Sequence, residues 1–280
     1  MKIQPIDLVR GDIELPMLPV VFQRFMAKLD DPAARADDFS EIISTDPSLT
    51  TRLLKIVNSA YYSFSATITD VSHAITIIGL AELRDMVMAV SVVEFFDDLP
   101  NELVSMQVFW THSVFTGLLA KELQLQPKLK THQSMFTAGV VHDIGSLVFY
   151  NRLPELARSV LELAERQSKP TFLIEREKLG FDHGDIGGEL VQHWGLPEFF
   201  FETVKSHHKP ENAGQFDQET LLLAVANSIA SAVDQENPVE EIQQDIKALY
   251  SVELTETELQ LAIDNAQEKL DSVMSGLFSA

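Results

Sequence analysis

Apolar residues recur along most of the chain with the three-to-four-residue spacing of amphipathic helices, and no segment alternates convincingly as a strand does. The first run is Val21, Phe25 and Leu29, opened by Leu18-Pro19 and closed by the polar Asp30-Asp31-Pro32. Asp46-Pro47 opens the next: the aspartate can cap, the proline suits the first helical position, and Leu49, Leu53, Leu54 and Val57 form the buried stripe. A loop over Tyr61–Thr69 leads to two apolar segments, Val71–Gly79 and Leu80–Phe96. Gly79 is the natural breaker between them, and Asp97-Asp98-Leu99-Pro100 stops the second.

The same period predicts further helices at about 102–125, 132–150, 154–168, 171–179, 183–194 and 197–208, several opened by Pro154, Pro170 or Pro197. Helices over 219–233 and 239–249 follow, then a long one from Thr255, whose Thr255 and Glu258 have capping-box spacing. Neither an internal repeat nor a low-complexity linker interrupts the series, so its lobes are expected to pack against one another. The class this predicts is all-α.

Composition narrows the picture. With 280 residues, 45% of them hydrophobic, the chain can build one large domain or two modest ones. Its most apolar run, Met86–Val93, falls far short of the roughly 18 residues of a membrane span. The first 16 residues hold no apolar segment of signal-peptide length, and a cytoplasmic location is expected. A net charge of −21 repels polyphosphate, which argues against nucleic-acid or anionic-membrane partners. Residues 211–280 concentrate that charge, with 14 acidic side chains against Lys247 and Lys269, and the bland reading is a solvated helical face. Because cysteine is absent, any metal chemistry must use histidine and carboxylates.

Eight histidines make that possibility concrete. His112 has Val108, Phe115 and Leu119 at helical spacing around it, which places an imidazole within a core-facing stripe. His142 has Met135, Ala138 and Gly145 in the same relation. Asp143 adjoins it about 100° round a helix, so the pair can grip a cation while Gly139 and Gly145 leave room. Taken one at a time, each histidine is more simply a core residue bonded to a carbonyl. Phe199-Phe200-Phe201 reads best as core packing and Asn58–Tyr62 as a helix end. The stripe Val239, Ile242, Ile246 and Leu249 either packs internally, the stronger reading, or docks a partner.

The order of longer strings is more specific. "WTHSVFTGLLAKEL", "AGVVHDIGSLVFY", "FDHGDIGGELVQHWGLPEFFFETVKSHH" and "LLLAVANSIASAVD" together resemble the HD superfamily of metal-dependent phosphohydrolases. "LPMLPVVFQRFMAKLDDP", "EIISTDPSLTTRLLKIVNSAYYSF" and "ITDVSHAITIIGLAELRDMVMAVSV" resemble the HDOD domain, the HD-related output domain of bacterial signalling proteins. The resemblance covers about residues 12–235 and divides the chain into an N-terminal helical lobe (12–100), an HD-like lobe (101–235) and an acidic helical extension (236–280).

The resemblance implies a metal set of His112, His142 and Asp143, with a final position, usually Asp, held here by Asn227. His183, His207 and His208 match histidines of relatives that cleave cyclic dinucleotides, whereas Ser146 and "HHKPENAGQ" stand where those relatives carry a lysine and a Gly-Tyr-Pro motif. One or two divalent transition metals, manganese, iron or zinc, follow from that set, in a degenerate or altered site. Two functions are implied: a signalling output module acting through an unidentified protein partner, or a phosphohydrolase of a nucleotide or cyclic dinucleotide. In the second, Asp143 stands at the reacting centre. The neutral Asn227 and the missing lysine favour the first.

Overall fold

A computed structural model describes residues 3–10, 18–29, 31–97, 102–131 and 135–278. Every regular element among them is helical, as the periodicity predicts. In chain order the helices begin with α1 (Pro5–Arg10), α2 (Val20–Leu29), α3 (Ala36–Ser44), α4 (Pro47–Val57), α5 (Val71–Ile78) and α6 (Leu80–Asp97). Next come α7 (Met106–Leu123), α8 (Met135–Val141), α9 (Ile144–Arg152), α10 (Pro154–Gln167) and α11 (Thr171–Leu179). The series ends with α12 (His183–His193), α13 (Glu198–Ser206), α14 (Asp217–Asp234), α15 (Val239–Tyr250) and α16 (Glu256–Phe278). The proposed stop residues Asp30, Asp98, Leu99 and Pro100 lie outside the described residues.

One compact unit comprises residues 17–98 and 261–280, the other residues 1–16 and 99–260. The division thus falls inside α16, whereas the sequence reading kept 236–280 together as one extension.

In the unit of residues 17–98 and 261–280, Asp46 caps α4 by accepting the Leu49 N–H at 3.1 Å, with Pro47 at the first helical position. The buried side of α2 is Phe22 and Phe25, with Val21 and Leu29 half-buried, one position round from the expected stripe. Helix α3 was not foreseen; its Phe39, Ile42 and Ile43 are buried, and Phe39 packs on Phe25 at 5.0 Å between ring centroids. Gly79, at φ +83°, separates α5 from α6 in a backbone region other residues rarely adopt. The end of α4 is a structural staple, since the Asn58 amide donates to the Leu54 and Ile68 carbonyls and accepts the Ile68 N–H.

In the unit of residues 1–16 and 99–260, glycines let helices touch backbone to backbone. A Cβ on Gly139 of α8 would stand 2.3 Å from the Gly117 Cα of α7, and one on Gly145 of α9 would stand 1.9 Å from the His183 carbonyl of α12. These glycines therefore admit neighbouring helices rather than a cation. The single helix expected over 132–150 is broken at His142 and Asp143, where Asp143 takes φ −99° and ψ 5°. On α15 Ile242 and Ile246 are buried but Leu249 is 69% exposed. Tyr250 takes its place, exchanging a 2.8 Å hydrogen bond with Ser228. Phe199 and Phe200 are core, and Phe201 is half-buried. No helix among the described residues is long and apolar enough to cross a membrane.

Candidate metal centre

Six side chains singled out in the sequence converge in the larger unit. His112 comes from α7, His142 and Asp143 from the turn between α8 and α9, His183 from the first residue of α12, and His207 and His208 from the turn that ends α13. They form two ligand groups that share Asp143: Asp143 with His183, His207 and His208, and Asp143 with His112 and His142. Within each group the ligand atoms lie within 4.8 Å of one another. Asp143 Oδ1 is the hub, 3.2 Å from His142 Nε2, 3.1 Å from His183 Nε2 and 3.4 Å from His207 Nε2.

The break in the helix produces this hub. On a continuous helix Asp143 would point about 100° away from His142; in the turn, both reach one point. The Gly145 contact brings the start of α12 alongside, so His183 faces Asp143. Val108, expected on the same core stripe as His112, is 68% exposed, which puts His112 at the edge of that stripe while Phe115 and Leu119 are buried.

Four of the five rings are held by Nδ1. His142 bonds the Gly139 carbonyl at 2.7 Å and His207 the Val204 carbonyl at 2.7 Å. His183 bonds Glu175 Oε2 at 2.8 Å and His112 bonds Asp234 Oδ2 at 2.9 Å. At His142 and His207 a donating Nδ1–H fixes the tautomer and turns the Nε2 lone pair inward, the arrangement by which outer groups orient metal-binding imidazoles. His142 Nε2, His207 Nε2 and Asp143 Oδ1 are buried and make no hydrogen bond. Orphaned buried polar atoms are costly, and a cation at the hub would satisfy all three. His183 Nε2 and His208 Nε2 are hydrogen-bonded at 2.7 Å, so both nitrogens face the same region. The donor set fits a divalent metal.

Charge follows the same geometry. Burial pushes the Asp143 carboxyl up, but the His142 and His183 imidazoles hold it well below its usual range. Burial also opposes charge on His183, and Glu175 and Asp143 override it, raising that imidazole well above its ordinary value. Burial lowers His142, and burial together with His207 and His183 lowers His208 strongly.

Sequence reasoning missed Glu175 and Asp234. Both left a signal: Glu175 stands four residues before the buried Leu179, on an apolar helix face, and Asp234 stands one heptad after Asn227. Asn227 itself reaches the centre from α14, its Oδ1 3.0 Å from His112 Nε2.

A family model, the HDOD domain, matches residues 15–210. A protein of Treponema pallidum is 26% identical over 267 residues, 92% of this chain and 50% of its own length, so the chain spans half of that relative. A candidate phosphohydrolase of Shewanella amazonensis SB2B has a structure matching at TM-score 0.76 with 25% identity, over 96% of both chains. An HDOD domain protein of unknown function from Geobacter sulfurreducens matches at TM-score 0.76 with 21% identity, over 99% of both. With the family match spanning most of the chain, on a helical fold that those structures share, the protein belongs to the HDOD domain family.

Proposed function

We propose that this chain is a signalling output module that holds one divalent transition metal and acts through contacts with another protein. His183, His207, His208 and Asp143 would hold the ion. Three imidazoles and one carboxylate favour zinc or iron over manganese. When bound, such an ion polarises a water or a phosphoryl oxygen, or braces the helices that supply its ligands.

The observation that carries the reading is at the second ligand group. There the Asn227 amide occupies His112 Nε2, the nitrogen that a second ion would need, and supplies no charge of its own. Two imidazoles and a shared carboxylate are a poor set for a second hard cation. A one-ion site lacks the paired clamp on attacking and leaving oxygens that two-metal phosphoryl chemistry uses. HDOD membership and the departures at Ser146 and Asn227 support the same role.

A second reading, hydrolysis of a nucleotide or cyclic dinucleotide, is favoured by the complete imidazole set and the partly exposed Asp143. Assay with bis-p-nitrophenyl phosphate and cyclic dinucleotides, in added manganese, iron or zinc, separates the two. The module reading expects no turnover above the metal-only control. Turnover abolished by His142→Ala would establish the hydrolase instead.

A further inference from the structure

Away from the histidine centre, a concavity of about 300 Å³ lies beside α12 and α13, with Arg176, Lys205 and Lys209 in its wall. Asp185, Glu198 and Glu202 line the same hollow, so what matters is which of the three cations they pair with. Arg176 pairs instead with the buried Asp182. Lys205 and Lys209 have no carboxylate within 4.0 Å among the described residues.

Lys205 is also held in place. A Cβ on Gly188 would stand 2.8 Å from Lys205 Cβ, 3.3 Å from Cγ and 3.4 Å from Cδ, so its stem lies along the bare backbone of α12. Its ammonium sits 4.9 Å from the centre of the Phe201 ring. The C-terminal end of α13 accounts for basic residues nearby, but not for a glycine bed under one of them.

The carboxylates in the same wall are turned to other partners. Glu202 accepts the backbone N–H groups of Gly214, Gln215 and Phe216, at 2.9, 3.2 and 2.9 Å. Asp185 accepts the Asp182 N–H in a capping box at 3.1 Å. Glu198 is exposed at the start of α13, seven residues and about 10 Å along the helix from Lys205. The hollow thus has two lysine ammonium groups without a carboxylate partner and, farther off, an acceptor for hydroxyl groups.

We propose that this hollow is an anion site for a small hydroxylated phosphomonoester, its phosphate held by Lys205 and Lys209 and its hydroxyls directed toward Glu198. A phosphate takes charge-assisted hydrogen bonds from both lysines.

The test is titration of the full chain, after chelator treatment to empty the histidine centre, with inorganic phosphate and with glycerol 3-phosphate, followed by amide NMR and calorimetry. Both ligands are expected to shift the Gly188, Lys205 and Lys209 resonances, and glycerol alone to shift none. Lys205→Met, which keeps an unbranched stem on Gly188, and the exposed Lys209→Met should each weaken binding about tenfold. Because the protein is metal-free, the result is independent of whether the histidines bind an ion. No binding of either phosphate, or binding unchanged from wild type in both lysine variants, overturns the proposal.

Discussion

His112 Nε2 lies 3.0 Å from Asn227 Oδ1 while its Nδ1 lies 2.9 Å from Asp234 Oδ2, so both nitrogens of this ring are engaged by α14. Burial opposes protonation of the ring, and the hydrogen bond to Asp234, the charges of Asp143 and Asp234 and the bond to Asn227 together outweigh it, raising the imidazole above its ordinary value. His112 is thereby turned from a prospective ligand into one member of a polar link between α7 and α14. The other four histidines keep Nε2 directed at Asp143 or its surroundings.

Restoring a carboxylate at that position should restore the second ion. Asn227→Asp is expected to raise the metal content of protein loaded with manganese or iron from about one ion per chain to about two, read by elemental analysis. A content unchanged from wild type would show that the amide is not what limits the second group.

Glu175 should matter to the metal without touching it. Its Oε2 takes both the backbone N–H and the Nδ1 of His183, each at 2.8 Å. Glu175→Gln keeps the shape but weakens the acceptor, and affinity for zinc in a chelator competition should fall by about 10- to 100-fold. A variant with wild-type affinity would mean that the His183 ring is oriented by packing alone.

Gly145→Ala should be strongly destabilising, because the added methyl meets the His183 carbonyl and the Gly187 nitrogen, neither of which can move without its helix. A loss of about 2 kcal/mol or more corresponds to a melting temperature lower by roughly 5 °C, with metal content reduced as well. Calorimetry on metal-free and metal-loaded protein measures both effects.

These residues also show what the sequence could and could not disclose. Asp46-Pro47, Gly79 and Thr255 with Glu258 act through neighbours a few positions away, and each does in the fold what its local pattern predicts. His142 and Asp143 were legible as a pair, but not the turn that aims them together, because that break is imposed by backbone contact between α9 and α12, helices nearly forty residues apart in sequence. The roles of Gly139 and Gly145 were misjudged for the same reason: a missing side chain does not say whether a ligand or a helix takes the space. The anchors Glu175 and Asp234 depend on pairings across α11–α12 and α7–α14, which periodicity within one helix does not contain.

Metal-free protein should lose stability on acidification below about pH 6.5, and the sign follows from His142 and His208. Both have folded-state values below the ordinary 6.5, so the unfolded chain takes up their protons first as pH falls, and stability drops in that window. His112 and His183 are raised, and the stability they contribute is already complete below 6.5 and is lost only as pH rises through their folded values. Melting curves of chelator-treated protein from about pH 6.5 down to 5.5 should therefore fall toward the acid end, and His208→Gln should flatten that fall. An identical slope in the variant would remove His208 from the account.

The central claim is a centre that holds one ion where two ligand groups share one aspartate. Elemental analysis of the full chain, purified without chelator or a metal-carrying tag and then saturated with zinc or iron, tests it directly. About one ion per chain, lost in His183→Ala or His207→Ala and kept in His112→Ala, is the result predicted. Two tightly held ions per chain, or none after saturation, would contradict it.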